Sequence, residues 1–110
     1  MNLSGPSLTM LELNAGESVT WVIEIDAYPE PRITWSKDGN ENVIKMQSKY
    51  QVESDRKKTV LHIKDLELRD TGIYQVEVVA KDQIRTLNYS LKVAGNVISM
   101  FTSLIGQFFV

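Results

Sequence analysis

The sequence predicts an all-β sandwich, in which two sheets enclose one hydrophobic core. Short runs rich in β-branched and aromatic residues recur along the chain, and apolar and polar side chains alternate within them. This two-residue period is typical of half-buried strands, and turn-forming residues separate the runs. The 110 residues match the size of one domain, and an apolar fraction of 43% is enough for one core but not for two.

Three runs build the N-terminal half of the predicted sandwich. Residues 8–13 alternate and end in a turn. Residues 18–26 follow, and they place four apolar side chains on one face: Val19, Trp21, Ile23 and Ile25. In the third run Ile33 and Trp35 share a face, and the turn signal Asp38-Gly39 closes it.

The C-terminal half contains three clear runs and one ambiguous segment. Residues 59–64, 72–79 and 84–93 alternate and are predicted strands. Residues 43–53 are ambiguous, and they predict either one strand or two short ones.

We expect residues 1–6 to be a flexible N-terminus and residues 7–95 to form the domain. The start of the chain has neither the basic region nor the apolar run of a signal peptide. Residues 96–110 form an apolar tail, which is shorter than the about 20 residues of a membrane-spanning helix. Its large apolar side chains have helical spacing, at Val97, Phe101, Leu104, Ile105 and Phe108. Three interpretations stay open: a helix that docks on a partner, the truncated start of a longer element, or a non-native extension.

One motif identifies the type of sandwich. From Leu61 the chain reads Leu-x-Ile-x-x-Leu-x-x-x-Asp70-x-Gly72-x-Tyr74-x-Val76. This resembles the corner between the fifth and sixth strands of an I-set immunoglobulin-like domain, a Greek-key sandwich. The resemblance implies a tyrosine corner, in which the ring of Tyr74 is buried and its hydroxyl reaches an upstream backbone group.

The chain departs from the I-set pattern at both cysteine positions. Ile23 stands where the pattern has its first cysteine, Val76 stands at the second, and Trp35 is the tryptophan that normally packs on the bridge. The chain has no cysteine, so the inter-sheet disulfide is absent. Losing such a bridge costs about 2–5 kcal/mol, whereas a buried aliphatic side chain contributes about 1.5–3 kcal/mol. The paired aliphatic replacement is therefore self-consistent.

The missing cysteine pair and the segment from Trp21 to Trp35 narrow the resemblance. They are similar to the fourth extracellular immunoglobulin domain of the platelet-derived growth factor receptors, with the stem-cell factor and vascular endothelial growth factor receptors as relatives. The resemblance implies a domain that does not bind the growth factor but contacts its own copy weakly. The implied contact lies in the charged corner, residues 64–70, through Lys64, Asp65, Glu67, Arg69 and Asp70. In the alternative interpretation Asp70 caps the corner or pairs with Lys49, and the rest is a solvated loop.

Two interpretations of the cellular setting compete. As part of a receptor the domain lies on the extracellular side of the plasma membrane, and the glycosylation sequons at Asn2 and Asn88 favour this setting. The rival is an intracellular, sarcomeric I-set domain of the titin, myomesin or myosin-binding-protein kind, which works as a structural link.

Composition and motifs exclude several other functions. The formal charge of −2 offers no basic surface for nucleic acid and no polybasic patch for lipid, so we expect contact with a membrane only through a parent protein. The lone histidine, His62, should face solvent and has no partners spaced for a metal. No catalytic constellation or phosphate loop is present, so we expect no enzyme, no cofactor and no small-molecule substrate. The expected partner is a protein, either a second copy or neighbouring immunoglobulin domains.

Overall fold

The computed structural model describes residues 1–95. The tail, residues 96–110, and the three interpretations of it lie outside the described residues. Within residues 1–95 the chain forms eight strands, one short helix and one 3₁₀ turn (Leu68–Asp70). In chain order the longer elements are β1 (Asn2–Ser4), β2 (Met10–Asn14), β3 (Val19–Asp26), β4 (Arg32–Lys37), α1 (Glu41–Met46), β5 (Tyr50–Ser54), β6 (Lys58–Ile63), β7 (Gly72–Ala80) and β8 (Gln83–Ala94).

The strands form two four-stranded sheets, which confirms the predicted sandwich. The first sheet has the order β1-β3-β6-β5 and is antiparallel throughout. The second sheet has the order β2-β8-β7-β4, in which β2 runs parallel to β8 and the other pairs are antiparallel. The inward positions of β3 and β6 are those that the alternation predicts, and their apolar side chains are buried.

The N-terminal residues differ from the expectation of a flexible segment. β1 pairs with the end of β3, so residues 2–4 belong to the first sheet. The chain then crosses to the second sheet, since β2 pairs with β8. Gly5 lies at this crossing, where an added Cβ would overlap the Tyr89 hydroxyl and lie 2.6 Å from Cδ1 of Ile23. Met1 and Leu3 pack against the core, and Tyr89 donates a hydrogen bond to the carbonyl of Pro6 (3.2 Å).

The ambiguous middle segment contains a helix followed by a single strand. α1 begins after Asn40, whose side chain accepts a hydrogen bond from the amide of Asn42 (2.9 Å). Glu41 in the first turn and Lys45 in the last turn suit the helix dipole, and the two side chains pair at 3.3 Å. Ile44 buries its side chain against the core. Of the two alternatives for residues 43–53, the single strand is confirmed by β5 and the two short strands are wrong. Neither alternative included the helix, which begins at Glu41 because the side chain of Asn40 caps it.

An aromatic cluster fills the core between the sheets. Trp21 on β3 stacks on Tyr89 with ring centroids 5.6 Å apart and contacts Tyr74 at 5.2 Å. Tyr50 extends the cluster towards β5, with its ring centroid 6.4 Å from that of Tyr74. Because large aromatic side chains bury much apolar area, this cluster supplies a large share of the packing between the sheets.

Candidate functional site

The two positions that lack cysteine are at the centre of the sandwich. Ile23 and Val76 are completely buried, and Trp35 is 4% exposed. Val76 lies beside Trp35 in the second sheet, and Ile23 lies beside Thr59 in the first. Ile23, Trp35 and Val76 all belong to one hydrophobic core cluster.

A hydrogen bond joins the sheets at this same level. The indole Nε1 of Trp35 donates to Oγ1 of Thr59 at 2.9 Å, and Thr59 is completely buried. Oγ1 of Thr59 also shares a hydrogen bond of 2.7 Å with the hydroxyl of Ser54. Both buried polar groups have a partner, so the hydrogen bonds offset the cost of removing these groups from water.

The tyrosine corner has the geometry that the motif implied. The hydroxyl of Tyr74 donates to the backbone carbonyl of Asp70 at 2.6 Å, and the residue is completely buried. Burial raises the pKa of Tyr74 far above its usual range, so the hydroxyl remains a donor. This bond ties the second sheet to the chain that arrives from the first.

Asp70 is the buried anchor of the charged corner. Its carboxylate accepts hydrogen bonds from Nζ of Lys49 (2.5 Å), the backbone amide of Glu67 (2.8 Å) and the hydroxyl of Tyr50 (3.0 Å). Burial opposes ionisation, but the three donors outweigh it and hold the pKa of Asp70 below its ordinary value. The same environment raises the pKa of Tyr50 to about 12, chiefly through burial.

Asp70 is consequently not a surface residue. It is 1% exposed, and its carboxylate is occupied inside its own domain. The prediction that Asp70 takes part in the contact between two copies was wrong. A buried carboxylate that already has three donors in its own domain has no oxygen to offer a second chain. The sequence alone did contain the alternative, a pair with Lys49.

The other four residues of the predicted contact lie on the surface. Lys64, Asp65, Glu67 and Arg69 are all exposed, and Glu67 forms an ion pair with Arg69. Within residues 1–95, Lys64 and Asp65 make no ion pair. The exposed part of the corner thus carries two positive and two negative side chains on six consecutive residues.

The backbone of the charged corner is fastened from three sides. Nζ of Lys37 donates to the carbonyl of Arg69 at 2.6 Å, and the amide of Leu66 donates to the carbonyl of Glu17 at 2.9 Å. Leu66 itself is buried in the core. Together with Asp70, these contacts fix the backbone that carries the exposed side chains. In a loop without such contacts the backbone itself would be mobile.

The remaining predicted residues lie away from the corner. Asn88 is exposed on β8 in the second sheet, and Asn2 is exposed on β1 in the first. His62 is half-buried on β6, and its Nδ1 shares a hydrogen bond of 2.6 Å with Oγ1 of Thr20. In the described part of the chain no three His, Cys, Asp or Glu residues are grouped to hold a metal ion, and no helix there is long and apolar enough to cross a bilayer.

A family model decides the classification. The model described as the immunoglobulin I-set domain matches residues 5–93, which is most of the chain. The chain belongs to the immunoglobulin I-set family. This I-set domain is therefore a non-catalytic module, as the sequence predicted, of a kind that mediates contacts between proteins.

One curated relative is a receptor. The I-set domain is 27% identical over 81 residues to platelet-derived growth factor receptor beta of Takifugu rubripes, a match that covers 70% of the chain. The aligned part is only 7% of the receptor's length.

Similar solved structures include domains of titin. The crystal structure of the titin M3 domain has a TM-score of 0.69 and 25% identity, covering 83% of this chain and 95% of the titin chain. The titin domains Z1Z2 in complex with telethonin have a TM-score of 0.75 and 21% identity, covering 86% of this chain and 48% of the titin chain. At 21% identity the likeness shows the shared fold alone.

Proposed function

We propose that this I-set domain is a contact module in the extracellular part of a growth-factor receptor, where its charged corner meets the corner of a second copy. The observation that carries the proposal is the self-complementary surface of residues 64–69 on a backbone anchored by the buried Asp70. The similarity to platelet-derived growth factor receptor beta supports the receptor setting. The role is to orient receptor chains and not to bind the growth factor.

A two-fold contact makes the charge pattern useful. In such a contact the same patch serves both copies, so Arg69 of one copy faces Glu67 of the other, and the reverse pair forms as well. Within one chain these two side chains already pair with each other at the surface. Exchanging the two internal pairs, one in each copy, for two pairs between the copies changes the free energy little, because exposed ion pairs contribute about 0–1 kcal/mol each. The contact is therefore weak, and it operates between chains that are already tethered together.

Charge reversal with rescue tests the contact. The full 110-residue chain is displayed on a membrane anchor, and energy transfer between two labelled populations reports proximity. R69E and E67R each place like charges opposite each other, so each variant alone should lower the transfer signal. A mixture of R69E copies with E67R copies should restore it, because the new carboxylate at position 69 then faces the new guanidinium at position 67.

The matched control breaks an equally exposed pair elsewhere. Lys45→Glu disrupts the Glu41–Lys45 pair on α1, which lies outside the charged corner, and should leave the transfer signal unchanged. If R69E behaves like K45E, or if the mixture does not recover, the charged corner is an ordinary solvated loop and the proposal is wrong.

A second candidate is an intracellular structural link. The likeness of the fold to titin domains favours it. In that role the domain connects modules along a chain, and neither its charged corner nor its sequons have a function. Charge reversal would then change nothing in the tethered assay, and the chain would carry no glycan in its native cell.

A further inference from the structure

The outer face of the second sheet presents the sequon Asn88-Tyr89-Ser90. Tyr89 points inward and is 1% exposed, so the alternation of the strand places Asn88 and Ser90 on the opposite, outward side. Asn88 is exposed there, directly opposite Gln75 on the neighbouring strand β7. The acceptor residue of the sequon is therefore accessible in the folded domain.

A hydrogen bond orients the Asn88 carboxamide. Nε2 of Gln75 donates to Oδ1 of Asn88 at 3.0 Å. The hydrogen bond uses the oxygen of Asn88, so the nitrogen, to which a glycan is attached, is not engaged by Gln75. Glycosylation leaves the carboxamide oxygen in place, so the same hydrogen bond can hold the first sugar in one direction.

Two exposed apolar side chains lie diagonally next to Asn88. Ile73 on β7 and Met10 on β2 both pair in register with Ser90, one on each side of β8. They are 53% and 73% exposed. A diagonal neighbour in a sheet lies about 7–8 Å away, which is within reach of a long side chain, and a sugar on Asn88 extends at least that far.

We propose that Asn88 carries an N-linked glycan whose first N-acetylglucosamine packs across Ile73 and Met10, so that this face of the second sheet is covered by carbohydrate and is not a protein interface. The inference rests on the proposed function only in that the chain must pass through a secretory compartment. In the transfer, Nδ2 of Asn88 forms a bond to C1 of the sugar as the bond from C1 to a polyprenyl diphosphate breaks. One amide proton leaves with the diphosphate.

The first test is the modification itself. The full chain is expressed behind a cleavable signal sequence in animal cells, and secreted and retained material are both analysed by mass spectrometry before and after amidase treatment. Asn88→Gln and Ser90→Ala should each remove one glycan, whereas Ser90→Thr should keep it and Asn2→Gln should leave the Asn88 peptide modified. An Asn88 peptide without carbohydrate in the wild-type chain overturns the inference.

The second test is the packing of the sugar. An endoglycosidase trims the glycan to its first sugar, and the melting temperature is compared with that of N88Q. The sugar should raise it by about 3 °C, a change expected for a small domain from one modest contact. Ile73→Ser should abolish this gain. Ile84→Ser is the matched control, since Ile84 is exposed on the same face but four residues, about 13 Å, along the strand. An equal gain in the melting temperature of the wild-type, I73S and I84S chains would contradict the packing of the sugar on Ile73.

The two proposals can fail separately. A glycan on Asn88 together with no effect of charge reversal at Arg69 leaves this inference standing and removes the homotypic contact. An Asn88 without glycan, together with recovery of the transfer signal in the mixture of R69E and E67R copies, removes this inference and leaves the homotypic contact standing.

Discussion

The centre of the sandwich and the carboxylate at the base of the charged corner are both buried, but different interactions hold them together. At the centre, Ile23 and Val76 replace a covalent bridge by apolar packing, and Trp35 and Thr59 add one hydrogen bond between the sheets. At the base of the corner, the ionised Asp70 collects three donors from different parts of the chain.

The difference shows how each region tolerates change. An apolar centre loses stability in proportion to the volume and area that are removed, and neighbouring side chains can partly compensate. A buried carboxylate has no such gradation. Removing it takes the acceptor away from the hydroxyl of Tyr50 and the amide of Glu67, and it leaves Lys49 with only the carbonyl of Asp65, at 3.4 Å. The charged corner therefore has a more strictly fixed geometry, whereas the centre of the sandwich tolerates a wider range of substitutions.

The largest effect is expected from Asp70→Ala. Lys49 would lose its ion-pair partner and Tyr50 its carboxylate acceptor, and the free energy of unfolding should fall by about 3–5 kcal/mol, as for other broken buried pairs. Urea denaturation of the purified chain measures it. Asp26→Ala, at an exposed position at the end of β3, should change stability by less than about 0.5 kcal/mol. A similar small loss for both variants would mean that the anchor contributes nothing.

The second largest effect should be stabilising. The paired variant Ile23→Cys with Val76→Cys restores the two family cysteines, and we expect it to form a disulfide that adds about 2–4 kcal/mol. Denaturation with and without reductant separates the bridge from the loss of the two aliphatic side chains. Thiols that stay reduced in a folded, oxidised sample would show that positions 23 and 76 do not face each other across the sheets.

A smaller loss is expected at the inter-sheet hydrogen bond. Thr59→Val keeps the shape of the side chain but leaves the Trp35 N–H buried without an acceptor, which should cost about 1–3 kcal/mol. Thr20→Val makes the same replacement on the outer face of β3, where water can replace the lost partner, so its cost should be below about 0.5 kcal/mol. An equal loss of stability in T59V and T20V would show that the Trp35–Thr59 hydrogen bond does not stabilise the core.

Acidification is the mildest perturbation of the anchor. The pKa of Asp70 in the folded state is lower than in the unfolded chain, where it is about 3.9. Its contribution is therefore complete above about pH 4 and is lost as the pH falls through the folded-state pKa. Asp70→Asn should be less stable than wild type at about pH 6, and the gap should narrow steadily below about pH 4. A gap that stays constant down to about pH 2 would contradict an ionised anchor.

The fold was largely predictable because its inward positions follow a two-residue alternation that depends only on local sequence. The core positions of β3, β6 and β7 could be derived in this way. The absent disulfide followed from the lack of cysteine, and the tyrosine corner was implied by the resemblance to an I-set domain. β1 could not, since nothing local in residues 2–4 reveals that the edge of β3 has space for another strand. α1 could have been recognised from Asn40 followed by Glu41, a capping signal that a short apolar run concealed.

The charged corner separates what the sequence by itself determined from what only the tertiary structure decided. The sequence determined that residues 64–70 form a charged corner beneath a tyrosine, because the spacing of Leu66, Asp70 and Tyr74 belongs to one connected segment. It could not distinguish the buried Asp70 from the exposed Glu67 and Arg69, which have similar local surroundings. That distinction depends on Lys49 and Tyr50, about 20 residues earlier in the chain, and only the folding of the two sheets brings these donors to the carboxylate.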